Sequence, residues 1–496
     1  MPLFKKPIEQ EFFNLRLRAG RPMTELEFYA KELTDWETSP ERREMIDGDR
    51  YYTGDHDILK RQRTAIGPDG KLIVIENLPN NRIVDNQYAK HVDQKANYLL
   101  GQPISFSCEN DDYAAEVKKV LGMRFMRTLK SAGVECLNAG ISWLYPYYNK
   151  NGELTFRVFP GYEIMPFWAD AAHTELDSAL RLYPVEVYYG TEKKIVKKID
   201  LFTLEGVTTY IFENGVLTPD TEKQAYVKVK DSKGNEQPLN WERFPLIPIK
   251  YNPKEVPLIR RGRSLQDAIN LLQSDFVNNM EEDVRNTVLV LKNYDGQDLG
   301  EFRRNLTTYG AIKVRTVEGT DGGVDSLEIS VNSENYKTVL ELLKKALIEN
   351  LRSYDAKDDR LSGTPNQMNI QSMYCDIDLD ANAMETELQA SFEEILWFVN
   401  TYLANTGKGS YESEDITVIF NRDILINESE AIDNCSKSVG IISDETIVAM
   451  HPWVDDPAAE LERLEKQKEE TDPYRAAFER AQALRNPEGG DPVNEE

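Results

Sequence analysis

The 496-residue chain has four cysteines, Cys108, Cys136, Cys375 and Cys435, and no two of them stand at CxxC spacing. They read as reduced, buried thiols in a cytosolic setting. Histidine is as scarce: His56, His91, His173 and His451 lie far apart in sequence and form no metal or triad pattern. GxxxxGK[ST], GxGxxG, GxSxG and HExxH are all missing, so no P-loop, dinucleotide, nucleophile-elbow or zincin motif is present. The stretch "NTGKGS" at 405–410 lacks the leading glycine, and Gly409 separates Lys408 from Ser410. It reads as a helix stop and a loop. No run of 18 apolar residues exists, and "MPLFKKPIEQEFF" has no apolar core; neither a membrane span nor a signal peptide is expected.

Negative charge and apolar residues are plentiful. Lys and Arg number 59 against 85 Asp and Glu, a net charge of −26. Such a chain repels itself and does not look like a reader of DNA sequence, which needs a basic footprint. With carboxylates this common, pairs such as Asp376 with Asp378, or Asp455 with Asp456, are expected by composition and read as solvated faces. A two-metal nuclease would need such groups to converge, and nothing in their spacing requires it. No enzyme activity and no cofactor are expected. Hydrophobic residues at 40%, with 24 Tyr and 18 Phe, suffice for a sizeable core, and the length suggests two to four domains.

Residues 1–60 read as helical, stopping at Gly54. A turn and a strand-like run follow in "IGPDGKLIVIENLPNN". The segment "RIVDNQYAKHVDQKANYLLGQP" reads as a helix, with Ile83, Tyr88, Val92, Ala96 and Leu99 on one face. Residues 104–250 are β-rich with one helix near 114–140. Their hairpins are marked by "YYNKNGELTFRVF", "YIFENGVLT" and "VKVKDSKGNEQPL". Helical periodicity then returns. Ser264 with Asp267 suggests a capping box, and Leu265, Ile269, Leu272, Phe276 and Met280 form a stripe. A strand–helix–strand insert follows: "TVLVLKNY", "DLGEFRRNLTTY" and "AIKVRTV". After the Gly-rich "EGTDGGVD" comes a helix with Tyr336, Leu340, Leu343, Leu347, Leu351 and Tyr354 aligned. A further helix aligns Ile377, Ala381, Met384, Leu388, Phe392, Ile395, Val399 and Leu403. Stripes about 30–45 Å long need an ordinary core or neighbouring subunits to cover them. A strand in "DITVIFNRD" and helices at "NESEAIDNCSKSVG", "SDETIVAM" and "DDPAAELERLEKQKEE" complete the ordered part. The last 25 residues read as disordered.

Between two of the long helices lies a polar loop, "SYDAKDDRLSGTPNQMNIQ". Loops this long inside compact domains are usually functional or disordered. Two groups of cations stand near it in sequence. One is Lys337, Lys344, Lys345, Arg352, Lys357 and Arg360, where Glu341 with Lys345 also has the spacing of an ordinary helical ion pair. The other is Arg303, Arg304, Lys313 and Arg315 in the insert.

Four stretches resemble the portal proteins of tailed bacteriophages, in the family of Gram-positive siphophages and prophages. They are "YYTGDHDI" with "NNRIVDNQYAKHVDQKANYLLGQPI"; "FPLIPIKYNPKEVPLIRRGRSLQDAINLLQSDFVNNMEEDV"; "LSGTPNQMNIQSMYCDIDLDANAMETELQASFEEILWFVNTYL"; and "VGIISDETIVAMHPWVDDPAAELERLEKQ". The resemblance implies an α+β, mostly helical portal fold with wing, stem, clip and crown around a channel. The wing would be 1–260 with the helix 372–407, the stem helices 261–286 and 333–354, the clip 287–332, the tunnel loop 355–371, the crown 408–480, and 481–496 a disordered tail. It also implies a ring of twelve subunits at one capsid vertex, for DNA packaging and ejection. The partners would be terminase, the major capsid protein, a head-completion or adaptor protein, and double-stranded DNA without sequence specificity; no membrane is involved. Lys337, Lys344, Lys345, Lys357 and Arg360 would then be candidates for the DNA channel, and Arg303, Arg304, Lys313 and Arg315 for partner contacts on the clip. The rival reading is a minor capsid or scaffolding-type protein without a channel.

Overall fold

The computed structural model describes residues 23–66, 70–74, 78–230, 236–283, 288–292, 323–327, 333–355, 367–422, 428–454 and 457–471. The insert helix, the strand in "AIKVRTV", the middle of the polar loop and the final 25 residues lie outside this set. The chain divides into two compact units, residues 1–354 with 376–423, and residues 355–375 with 424–496.

The first unit opens with helices α1 (Glu25–Glu37) and α2 (Pro40–Thr53). Thr24 and Glu27 close a capping box on α1, and Gly54, at φ 94°, ends α2 where its lack of a side chain permits a left-handed turn. A hairpin, β1 (Thr64–Ile66) and β2 (Leu72–Val74), precedes α3 (Gln87–Leu100). After β3 (Ser105–Ser107) come two helices rather than one, α4 (Asp111–Val120) and α5 (Met123–Ala139). The break falls at Leu121–Gly122, between the capped ends of the two helices.

The β-rich section contains β4 (Ile141–Tyr148), β5 (Leu154–Phe159), β6 (Ile164–Trp168), β7 (Leu176–Tyr189), β8 (Glu192–Thr203), β9 (Gly206–Glu213), β10 (Val216–Pro219), β11 (Val227–Lys230), β12 (Glu236–Leu239) and β13 (Ile247–Lys250). All three hairpins expected from Asn-Gly and Lys-Gly turns form: β4–β5, β9–β10 and β11–β12. At the second, Asn214 and Gly215 take φ of 52° and 77°, the paired positive values of a tight hairpin turn. The antiparallel sheet β10-β9-β8-β7-β6 takes α1 on one face, where Phe28, Leu33 and Trp36 pack with Phe167, Leu180 and Ile199. The three-stranded sheet β13-β4-β5 shares a second core with it around Trp143, Trp168 and Phe202.

The unit continues with α6 (Ile259–Asp283), β14 (Val288–Lys292), β15 (Gly323–Leu327), α7 (Ser333–Asn350), α8 (Gln367–Asn405) and β16 (Thr417–Ile419). The second unit contains the first turns of α8, and α9 (Glu428–Ser438), α10 (Asp444–Ala449) and α11 (Pro457–Thr471). Ser443 caps α10 as its position suggests. The eight-residue stripe of α8 is buried throughout. Other expectations need correction. The end of the Gly-rich stretch is strand β15, because it pairs with β14. Residues 367–371, read as loop, already belong to α8. Residues 417–419 pair with β3, so this part of the 408–480 segment belongs to the first unit.

The largest correction concerns α6. It starts at Ile259, because the first turn packs Leu258 and Ile259 into the core. Ser264 is therefore inside the helix and exposed, not a cap. The face of α6 with no exposure at all carries Gln266, Asn270, Ser274 and Asn278, one residue per turn. An extended segment, residues 81–86, lies on that face where a helix was expected. The backbone N–H of Asn81 donates to Asn278 Oδ1 (2.7 Å), that of Ile83 to Ser274 Oγ (2.9 Å), and that of Asp85 to Asn270 Oδ1 (3.0 Å). Tyr88 N–H donates to Gln266 Oε1 (2.9 Å), and Gln266 Nε2 returns a bond to Asp85 O (2.7 Å). Two residues of extended chain advance about 6.6 Å and four residues of helix about 6 Å, so the two repeats stay in step over three rungs, and the fourth comes from Tyr88 in the first turn of α3. Asn270 Nδ2 also donates to Nδ1 of the fully buried His56, whose Nε2 donates to Tyr51 O (2.9 Å).

Ser274→Val removes one rung and leaves the Ile83 N–H buried without an acceptor. The expected loss is about 1–3 kcal/mol of unfolding free energy in urea titration, with faster hydrogen exchange at Ile83 than at Tyr88. A second prediction comes from Glu135 on α5. Burial, helped by repulsion from Asp49 and Glu163, pushes its carboxyl up to about 7 from an ordinary 4.5. The folded state therefore binds a proton that the unfolded state does not between pH 4.5 and 7, and stability rises as pH falls through this window. Glu135→Gln is expected to flatten that slope and to stabilise the protein at pH 8 by up to roughly 3 kcal/mol, measured by chemical denaturation at pH 5 and 8.

Candidate functional site

Helices α6 and α7 run side by side in opposite directions. Phe276 meets Tyr336 at a ring separation of 5.0 Å, Asn279 Nδ2 donates to Tyr336 Oη (2.8 Å), and Gly262 lies against Leu347 and Leu351, where a Cβ would come within 2.9 Å of both side chains. The pair is unevenly covered. Only Leu347 of α7 is buried, while Val339 and Leu342 are 44% and 62% exposed. On α6, Leu271 and Met280 are exposed as well. The helix that buries four polar side chains leaves part of its apolar surface in water.

The candidate channel cations sit as follows. Lys344 is bound to Asp85 (2.7 Å), which also accepts from Gln273 Nε2 (2.6 Å) and Gln87 Nε2 (2.5 Å). Burial works against the Asp85 charge, but Lys344 and the two amides outweigh it and hold the carboxyl below its ordinary value. Lys344 therefore ties α7 to the extended segment on α6. Lys337 pairs loosely with Glu341 (3.9 Å), in place of the Glu341–Lys345 pair that the spacing suggested, and such an exposed contact contributes little. Lys345 is exposed. Lys357 and Arg360, and Arg303, Arg304, Lys313 and Arg315, lie outside the described residues.

Where α7 ends and the polar loop departs, the structure places a buried ion cluster that the sequence reading missed. Arg352 adopts φ 50°, a conformation that costs a residue with a side chain of order 1–3 kcal/mol. Its carbonyl accepts from Lys95 Nζ (2.9 Å). The same ammonium is 2.8 Å from Asp380 Oδ2 on α8, and Lys95 and Asp380 are each only 5% exposed. Tyr251 Oη donates to Asp380 Oδ2 (2.6 Å), and Arg261 Nη1 to Asp380 Oδ1 (3.1 Å). The Arg352 guanidinium stands at 3.7 Å. Gln94 Nε2 then donates to Tyr354 O (3.3 Å). Burial disfavours the Asp380 carboxylate, yet Lys95, Tyr251 and Arg261 together hold its proton affinity below normal. The fully buried surroundings draw the Lys95 value down. One carboxylate thus joins α3, the end of β13, α6, the end of α7 and α8. A sequence cue existed: Asp380 interrupts the apolar stripe of α8 between Ile377 and Met384, and Lys95 sits on the Val92–Ala96–Leu99 face of α3.

A second correction lies two residues before. Asp378, read as solvated, accepts from Tyr98 Oη (2.6 Å) and pairs with Arg422, which also holds Glu385 (2.7 Å). This anchors the segment after β16 to α8.

Residues 36–474 match the family model described as phage portal protein, SPP1 Gp6-like. The portal protein of Bacillus phage SPP1 is 31% identical over 456 residues, covering 91% of this chain and 88% of that protein. The portal protein of Clostridium phage phiCD119 is 27% identical over 435 residues, covering 85% and 92%. Among solved structures, a chain in the neck of a native gene transfer agent particle computed with C12 symmetry aligns over 73% of this chain and 88% of its own length, at 11% identity and a TM-score of 0.37. The chain belongs to the SPP1 Gp6-like family of phage portal proteins. Its role is structural, that of a portal in a phage virion.

Asp380→Leu leaves Lys95 buried without its counter-ion, and the expected cost is about 3–5 kcal/mol. The double variant Lys95→Met with Asp380→Leu is expected to regain much of that loss in urea unfolding, since both charges are then gone.

Proposed function

We propose that this portal protein assembles as a ring of twelve copies whose central channel passes double-stranded DNA into and out of the capsid. The observation that carries this reading is the uneven covering of α6 and α7: Leu271, Met280, Val339 and Leu342 face water in the single chain. Exposed apolar side chains on two long helices call for a partner, and in a ring the neighbouring copies supply it.

In this reading the wing is residues 1–260 with the helix 372–407 and the strand 417–419, the stem is α6 with α7, the clip is 287–332 outside the capsid, and the rest of 408–480 is the crown inside. Terminase and then head-completion proteins dock on the clip, where Arg303, Arg304, Lys313 and Arg315 offer charge, and the wing meets the major capsid protein. Assembly takes place in the host cytoplasm. The loop between α7 and α8, read from the sequence as 355–371 with its last five residues now the start of α8, projects into the channel. A surface that must let DNA slide has to be wet and must not bind phosphate tightly, because each Lys or Arg contact to phosphate adds salt-dependent affinity. A net charge of −26 with sparse cations, Lys337, Lys345, Lys357 and Arg360, meets both needs. These contacts hold position and read no base. Lys344 stands at the same level of the stem but spends its charge on Asp85.

Negative-stain electron microscopy of the purified protein checks the architecture: rotational averages should show rings of about twelve subunits with a central hole. Monomers or dimers at every salt concentration would instead favour a minor capsid or scaffolding-type protein. Within assembled rings, Lys357→Ala with Arg360→Ala should lower DNA packaging in vitro while ring averages stay unchanged; equal packaging would remove the loop from DNA contact.

A further inference from the structure

The β1–β2 hairpin has no cover. Its strands are three residues each and pair only with one another among the described residues. Ile66 and Leu72, a cross-strand pair, are 76% and 72% exposed, and Ile73 and Val74 are about half exposed. A lone two-stranded hairpin is marginal in water, and an apolar patch of this kind marks a contact surface.

The base of the hairpin is nevertheless firmly held. Arg63 Nη1 donates to Pro79 O (2.9 Å), Asn80 Nδ2 to Arg61 O (3.2 Å) and Arg82 Nη1 to Leu59 O (3.0 Å), lacing the two legs together. Arg61 pairs with Asp275 of α6 (2.8 Å), and the next residue along, Asn81, sits on Asn278. The hairpin is therefore mounted on α6 by a specific polar network.

We propose that the hairpin of one copy packs on the α6–α7 helix pair of the neighbouring copy. This rests on the ring reading above. Two complementarities support it. The helix pair exposes Leu271, Val339 and Leu342 at one level, which match the apolar hairpin. Glu281, Glu334, Glu341 and Glu349 are also exposed on the pair, against Lys337 and Lys345, of which Lys337 pairs with Glu341. Between Lys60 and Val74 the chain carries Lys60, Arg61, Arg63 and Lys71 against the single carboxylate Asp69, a basic segment in an acidic protein. The same copy cannot supply the contact: its own helix pair stays exposed with its own hairpin in place. Nucleic acid would use the cations but would leave four apolar side chains in water.

The test is intermolecular disulfide formation in the full-length chain with Cys108→Ser and Cys375→Ser. Ile73→Cys is combined in turn with Leu271→Cys, Val339→Cys and Leu342→Cys. On mild oxidation of assembled rings, at least one pair should give a covalent ladder from dimer upward on a non-reducing gel, absent from each single variant. Assembled rings that yield only monomer bands with all three pairs would overturn the hairpin contact and leave the ring reading intact. Absence of rings in the unmodified protein would overturn both. A second variant, Leu72→Asp with Ile73→Asp, changes only exposed positions and should keep the monomer's circular dichroism and melting temperature. The protein concentration needed for half-assembly should rise at least tenfold. An unchanged assembly threshold with loss of DNA retention would overturn the proposal and assign the hairpin to DNA.

Discussion

The first unit depends on one buried carboxylate. Asp380 sits where α8 meets α3, α6 and the end of α7, and its two oxygens accept from Lys95, Tyr251 and Arg261. Burying a charge in a protein interior is expensive, and it is tolerated only when opposite charges and hydrogen bonds fill the remaining lone pairs. Lys95, Tyr251 and Arg261 do this for Asp380. Because a half-satisfied cluster is worse than an apolar one, the arrangement admits a single geometry. The carbonyl of Arg352 is part of that geometry, which fixes the direction in which the chain leaves α7.

The second constraint is the row of amides and hydroxyl on α6. A helix packed through apolar contacts can slide or rotate by small amounts, since dispersion is weakly directional. A helix whose four buried polar groups each receive a backbone N–H, three of them from an extended chain, cannot, because any shift would orphan several donors together. Leu271 and Met280 stay exposed on the two flanks of α6, between its polar face and α7. The hairpin mounted on Asp275 and Asn278 inherits the rigidity.

Much of the fold was readable in the residues. Asn214–Gly215 specified its hairpin because only a few residue types accept paired positive φ, and Gly152 supplied the single positive φ of the β4–β5 turn. The stripe of α8 specified a buried helix because eight apolar residues at helical spacing have nowhere else to go. Ser443 marked a helix start correctly, since a hydroxyl at that position has a donor to bind. Ser264 misled for the same chemical reason: the pattern is short, and the packing of Leu258 and Ile259 carried the helix past it. Ile83 misled because its spacing from Tyr88 fitted a helix, whereas the acceptors that draw residues 81–86 into extended form lie nearly 200 residues away on α6.

By itself the sequence determined the elements, the family and the absence of nucleotide-binding and catalytic motifs, because these depend on local spacing and on runs of residues that match relatives over most of the chain. Tertiary structure alone decided which charges are structural. Lys344 and Lys345 are neighbours of the same type, yet one is bound to Asp85 and the other faces solvent. Asp376 and Asp378 look equivalent in sequence, yet Asp378 holds Tyr98 and Arg422. A charge is assigned by what lies within about 4 Å of it, and that distance is set by chain segments brought together from hundreds of residues apart.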